Sequence, residues 1–309
     1  MSHNLDVDSF AELLGIDASE FSPRTLDEIN SHDFRYSGLT HDDYTNLILG
    51  IIKKIDSGGL TISGPEEKAK WIKGWDENLQ EFIDSGFAID TLVPKYVRSG
   101  QPIRIFGDYA NPENQNFELD FTTVLKNWLF ETYLKDVDHV YEFGCGTGYD
   151  LVRMAKMYPN KELHGFDWVE STKRILNLLH EKLDYNITGH VFDMFNPDYA
   201  VEIKENSAFY TVGSLEQLGK DFEPFIQFIL EKKPAIVINL DTYSELYSED
   251  NLSDYLALKY DRVRNYLFGY ISRLSYLHAM KKIEMIKTQY VPCGSLYHTG
   301  YSFTIWRVL

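Results

Sequence analysis

The chain has 309 residues, 44% of them hydrophobic and 25% charged, enough for one large domain or two modest ones around an ample core. A formal net charge of −17 argues against a nucleic-acid substrate, because such binding rests on a basic footprint. Cys145 and Cys293 stand far apart, which excludes a disulfide framework and a paired-cysteine metal site and fits a reducing compartment. The absence of an apolar run of about 18 residues excludes a membrane helix, and acids near the start replace the basic residues of a signal peptide. The cytoplasm is the expected location, a homodimer stays open, and no metal ligand set is expected.

Residues 1 to about 105 read as helices joined by turns. "DDYTNLILGIIKKI" spaces its apolar residues as a helix does, and "GPEEKAKWIKGWDENLQEFIDSG" opens with Pro and two acids, a helix start. The Pro-, Asn- and Gly-rich "SGQPIRIFGDYANPENQNFELDF" is expected to be the connector between this helical cap and residues 106–309. From there strands alternate with helices. "FTTVLKNWLFETYL" is a helix, "DHVYEFG" a strand, "YDLVRMAKMYP" a helix and "ELHGFD" a strand. "STKRILNLLHEKL" is a helix, and "ITGHVFD", "SAFYTVG" and "PAIVINLD" are further strands. Such alternation predicts βαβ units, hence an α/β, doubly wound, mostly parallel sheet of seven strands. A helical insertion, about residues 244–282, follows the fifth strand. The chain ends in "KIEMIKTQYV" and "YSFTIWRVL", joined by "PCGSLYHTG", a connection short enough only for an antiparallel hairpin.

"VYEFGCGTGYDL" sets glycines at every second position between a strand and a helix, so that backbone N–H groups can approach a ligand. A dinucleotide fingerprint, G-x-G-x-x-G/A, needs a small residue three places after Gly146, and Tyr149 stands there instead. Asp167 closes the next strand, where an acid can accept hydrogen bonds from ribose hydroxyls.

With these motifs, residues 120 to 309 resemble the class I S-adenosylmethionine-dependent methyltransferases. The resemblance implies a Rossmann-like methyltransferase fold and S-adenosyl-L-methionine as cofactor. It implies that Gly144, Gly146 and Gly148 pass beneath the methionine and ribose and that Asp167 holds the ribose diol. Trp168 would flank the adenine, Asp193 and Met194 would border its amino edge, and Glu142 would organise the loop. Trp168 can equally be a packed aromatic, and Asp193 a turn cap.

A substrate in an open α/β sheet binds beyond the carboxyl ends of the strands. Glu216, Asp241 and His298 are the titratable groups expected there, with His298 the favoured base because an imidazole titrates near neutrality. Tyr243, Arg262 and Tyr297 are the expected substrate contacts. Arg262 and Arg264 do not share a helix face, so only one can point inward. Tyr297 and His298 are adjacent, so an extended connection would turn only one of them to the cleft. The reading is a methyltransferase acting on O or N of a small organic acceptor, with the N-terminal helices capping the site. The alternatives are a nicotinamide-dependent oxidoreductase, a non-catalytic module of the same fold, and a nucleic-acid methyltransferase, whose Asn/Asp-Pro-Pro-aromatic segment "VGSLEQLG" lacks.

Overall fold

In the computed structural model, which describes residues 2–95 and 98–309, the front of the chain is not purely helical. Strand β1 (Ser2–Asn4) leads into helices α1 (Val7–Leu14) and α2 (Pro23–Ser31), then strand β2 (Arg35–Gly38) and helices α3 (His41–Asp56) and α4 (Lys68–Asp84). The expected connector folds into strands β3 (Ile103–Ile105) and β4 (Asp108–Pro112). Phe106 and Gly107 join them as a two-residue turn, both at positive φ (48° and 78°), the twist that a tight hairpin requires. Ile103, Ile105, Tyr109 and Ala110 are buried, so these residues are a strand pair and not a loop.

Helix α5 (Phe117–Leu129) then leads into the alternating half: β5 (His139–Phe143), α6 (Tyr149–Met157), β6 (Glu162–Asp167), α7 (Glu170–Leu183) and β7 (Ile187–Val191). Next come β8 (Ser207–Val212), α8 (Glu223–Lys232), β9 (Ile236–Asp241), α9 (Leu252–Arg264), α10 (Tyr270–Ala279) and β10 (Ile283–Gln289). The chain closes with β11 (Cys293–Gly294) and β12 (Ser302–Val308). The seven-stranded sheet has the order β10-β12-β9-β8-β5-β6-β7. Its β9/β8/β5/β6/β7 ladder is parallel, while β12 runs antiparallel to both β9 and β10. This is the mostly parallel sheet with a reversed last strand that the alternation predicts. Parallel strands point their carboxyl ends to one edge, and the strand order reverses between β5 and β8, which locates a ligand crevice there.

One apolar cluster packs α5, α6 and α7 with the front elements against the sheet, and a second packs α8 and α10 on the sheet's other face. Within the expected helical insertion, α10 packs on β10 as an ordinary layer helix, and α9 instead reaches α3 and β4. The expected boundary near residue 105 is crossed by a second sheet, β1-β2-β4-β3-β11, whose last strand comes from the C-terminal connection. The front of the chain and the end of the chain therefore share one hydrogen-bonded ladder. Among the described residues no helix is long and apolar enough to cross a membrane.

Asn239, fully buried in β9, ties the sheet to its helical layer. Its Oδ1 accepts hydrogen bonds from Tyr270 Oη and Trp306 Nε1, each 2.9 Å away, and its Nδ2 donates to Thr211 Oγ1 at 2.9 Å. Asn239→Leu should cost about 2–4 kcal/mol in urea unfolding, since each buried donor left unpaired costs about 1–3 kcal/mol. A loss within error of zero would show that the network is dispensable.

Candidate active site

The loop after β5 turns on three glycines with φ of 72°, 52° and 72° (Gly144, Gly146, Gly148), a region that side chains rarely adopt. A Cβ on Gly144 would lie 2.3 Å from the Ser214 Cβ, and one on Gly146 would press on the Trp75 ring at 2.9 Å. At Gly148 it would meet Leu176 Cδ2 of α7 at 2.2 Å, so that glycine serves helix packing. Gly144 and Gly146 line a cavity of about 490 Å³ at the carboxyl edge of the sheet, and Gly148 does not.

Asp167, the last residue of β6, pins this loop. Its Oδ2 accepts the Gly146 N–H at 3.1 Å and its Oδ1 accepts the Val169 N–H at 3.1 Å. Burial pushes the carboxyl up to about 6, against the pull of those two backbone N–H groups. Trp168 faces the cavity, stacked 5.8 Å from Phe195, with the Lys68 ammonium 5.6 Å from its ring centre. Met194 and Phe192 complete that slot. Asp193 is not among the lining residues. Its Oδ1 accepts the Phe195 N–H at 2.9 Å, a turn cap.

Glu142 lines the cavity and is fully enclosed. Burial pushes its carboxyl well above the usual range, as does the charge of Asp150, and the Lys126 ammonium opposes them. Lys126 donates to Asp150 Oδ2 at 2.7 Å. Glu142 Oε2, Asp150 Oδ1 and Arg153 Nη1 are buried without partners, all three belonging to cavity-lining residues. Two free acceptors and a free donor at one end of the glycine loop suit a zwitterionic head group, and such orphaned groups are costly unless a ligand satisfies them.

The opposite lobe lies beyond β8. There Glu216, Gln217, Tyr260, Arg264, Tyr266, Tyr297 and His298 line the wall. Glu216 accepts from Gln217 Nε2 at 2.9 Å, and its Oε2 is 4.0 Å from His298 Nδ1. Arg264 donates to the Tyr260 hydroxyl at 2.9 Å and lies 4.6 Å from the Tyr266 ring centre. Tyr260 stacks on Tyr297 at 4.9 Å and an interplanar angle of 13°.

Several expected site residues are elsewhere. Asp241 does not line the cavity. Its carboxylate accepts the N–H groups of Leu215, Glu216 and Thr242 at 2.9, 3.2 and 2.9 Å and so anchors the loop that carries Glu216. Tyr243 is 1% exposed and donates to the Asn239 carbonyl, a core role. Arg262 faces solvent beside Glu249, and Arg264 is the inward arginine of the pair. Tyr297 and His298 both line the cavity, because the connection bends there and is not extended.

The front of the chain reaches the glycine loop. Trp71 and Trp75, stacked 5.8 Å apart on α4, wall the glycine loop, and Thr147 Oγ1 donates to the Leu92 carbonyl at 2.6 Å. Their sequence signal was an aromatic pair at i, i+4, which puts both rings on one helix face.

Burial lowers the His298 imidazole to about 3, with Arg104 and Arg264 adding to the effect. A neutral imidazole in the fold and an ordinary value of about 6.5 when unfolded mean that the unfolded chain binds the extra proton. The stability it contributes is therefore present above about pH 6.5 and lost as pH falls toward 3. Histidine NMR should show no titration of His298 between pH 5 and 8. A midpoint near 6.5 would contradict the burial seen here.

No family model matches the chain, and no curated protein matches it in sequence. Among solved structures it is similar to an S-adenosylmethionine-dependent methyltransferase from Aquifex aeolicus, at 13% identity and a TM-score of 0.42 over 60% of this chain and 89% of that one. A geranyl diphosphate C-methyltransferase from Streptomyces coelicolor A3(2) gives 11% identity and a TM-score of 0.47 over 64% and 88%. Human N-acetylserotonin methyltransferase gives 13% and 0.40 over 62% and 56%. The strand order and the antiparallel last strand make the seven-stranded sheet a Rossmann-like, mostly parallel sheet.

Proposed function

We propose that the protein is an S-adenosylmethionine-dependent methyltransferase acting on an O or N atom of a small organic acceptor. The observation that carries this reading is the set of unpartnered buried atoms Glu142 Oε2, Asp150 Oδ1 and Arg153 Nη1 beside the Gly144–Gly146 loop and Asp167. An amino-acid head group satisfies such a set: its ammonium suits the two carboxylates and its carboxylate suits the guanidinium. A nicotinamide dinucleotide has no ammonium to offer there. Asp167 would take the ribose diol, and Trp168 with Phe195 would take the adenine face. When bound, the cofactor supplies a methyl group on a positively charged sulfur.

For the rest, this chain positions and excludes water. The cavity leads from the glycine loop to a wall of Tyr260, Tyr266, Tyr297 and Arg264, aromatic faces with polar tips that suit a compact, partly apolar acceptor. In-line attack needs the acceptor held at near-attack distance in a dry site, and those rings supply both conditions. Glu216 is the group proposed to take the acceptor's proton. Burial raises its carboxyl well above the ordinary range, with Asp241 and Asp261 adding to the effect, so it is a stronger base than a surface acid. His298, held neutral, is proposed to orient the acceptor or the Glu216 carboxyl by hydrogen bonding.

Glu216→Gln should lower turnover by roughly 10²- to 10⁴-fold with cofactor affinity unchanged. A base must be unprotonated, so the wild-type rate should fall as pH falls through the raised Glu216 value, and that acid limb should vanish in the variant. Retention of the limb in Glu216→Gln would assign the base elsewhere. S-adenosylhomocysteine should raise the melting temperature, and Asp167→Ala should weaken its calorimetric binding by about 1–3 kcal/mol. Equal affinity for NAD(H) would favour the oxidoreductase reading.

A further inference from the structure

At the amino ends of β5 and β6, the opposite end of the sheet from the cavity, three metal-ligating side chains converge. His139 opens β5 and is the register partner of Glu162, which opens β6, and His164 follows Glu162 by two residues. Residues two apart on a strand share a face, and register partners on neighbouring parallel strands share it too, so all three project to one side of the sheet. His139 Nδ1 is 3.4 Å and His164 Nε2 3.8 Å from the same Glu162 oxygen, and the three ligand atoms lie within 4.8 Å of one another. Both of those ring nitrogens are buried and make no hydrogen bond.

We propose that His139 Nδ1, His164 Nε2 and the Glu162 carboxylate form a binding site for a divalent transition-metal ion of tetrahedral preference, Zn²⁺ in class, with water as the fourth ligand. Two imidazoles and a carboxylate match the donors such an ion takes. Bonds of about 2.0–2.2 Å put the ligand atoms of a tetrahedron about 3.3–3.5 Å apart, so closure requires contraction of about 1 Å. The two histidine–carboxylate spacings of 3.4 and 3.8 Å are already close to this, so the contraction falls mainly on the separation of the two imidazole nitrogens.

The surroundings prepare the ligands. His164 stacks on Tyr141 at 4.6 Å and 13°, and His190 stacks on Phe166 at 4.5 Å and 11°, which fixes both ring planes. His164 Nδ1 lies 3.3 Å from His190 Nε2. A metal on Nε2 leaves the proton on Nδ1, where it donates to His190, the outer-sphere contact that holds a ligating imidazole in one tautomer. The Lys204 ammonium rests on the Glu162 carboxylate and is 53% exposed. It is a cation already seated at the carboxylate that the metal needs, on a chain long enough to swing away. Lys204 therefore competes with the ion.

The test is titration of the chelator-stripped full chain with ZnCl₂ by calorimetry, alongside His139→Asn, His164→Gln and Lys204→Met. Saturable binding of one ion, weakened at least about 10-fold by either histidine change, is the expected result. Lys204→Met, an exposed change that leaves the core intact, should tighten binding. No saturable binding by the wild-type chain overturns the proposal, as does an affinity unchanged in Lys204→Met.

Discussion

Two hydrogen bonds of Asp167 organise the molecule's working edge. Through Gly146 N–H the carboxylate fixes the glycine loop after β5, and through Val169 N–H it fixes the start of α7 after β6. Neither contact is possible without the parallel pairing that brings Phe143 level with Phe166 and so places both strand ends at one edge. Loop, acid and aromatic slot are thus consequences of a single strand register. Shift that register by one residue and Asp167 would point into the opposite face.

The second constraint is buried charge in the cavity wall. Glu142, Asp150, Lys126 and Arg153 surround the glycine loop within a protein of net charge −17. Only Lys126 and Asp150 are paired with each other, and the remaining acceptors and donor are left open. Such an arrangement is expensive for folding alone, so its persistence is best explained by a ligand that completes it. In the far lobe Asp241 does the opposite work: three backbone N–H groups satisfy it, and the result is a rigid loop under Glu216.

Much of this was legible in the sequence because it is local. Strand and helix alternation, the turn at Gly144 and Gly146, and Asp167 at the end of β6 each depend on a few neighbouring residues and appear where the spacing put them, whereas Gly148, expected beneath the cofactor, packs against α7 instead. The errors arise where contacts are distant. The segment holding "IRIFGDYANP" reads as a connector until β2 and β11, far away in sequence, supply its hydrogen-bonding partners. Asp241 and Tyr243 sit at the carboxyl end of β9, and only packing decides that they turn into the core while Arg264, a full helix later, turns to the cavity. Trp71 and Trp75 reach the glycine loop because α4 packs on α7, a contact that no periodicity encodes. Asp193 shows the ambiguity of a short acidic side chain, for which turn capping and ligand binding look alike in one dimension.

The central claim is that the orphaned atoms beside the glycine loop await an amino-acid head group and that Asp167 awaits a ribose. A crystal structure of the full chain with S-adenosylhomocysteine tests it most directly. The account predicts the ligand ammonium at Glu142 and Asp150, its carboxylate at Arg153, the ribose diol on Asp167 and the adenine against the Trp168 and Phe195 side chains. Density for the ligand elsewhere, or a cavity that excludes it at saturating concentration, would contradict the account.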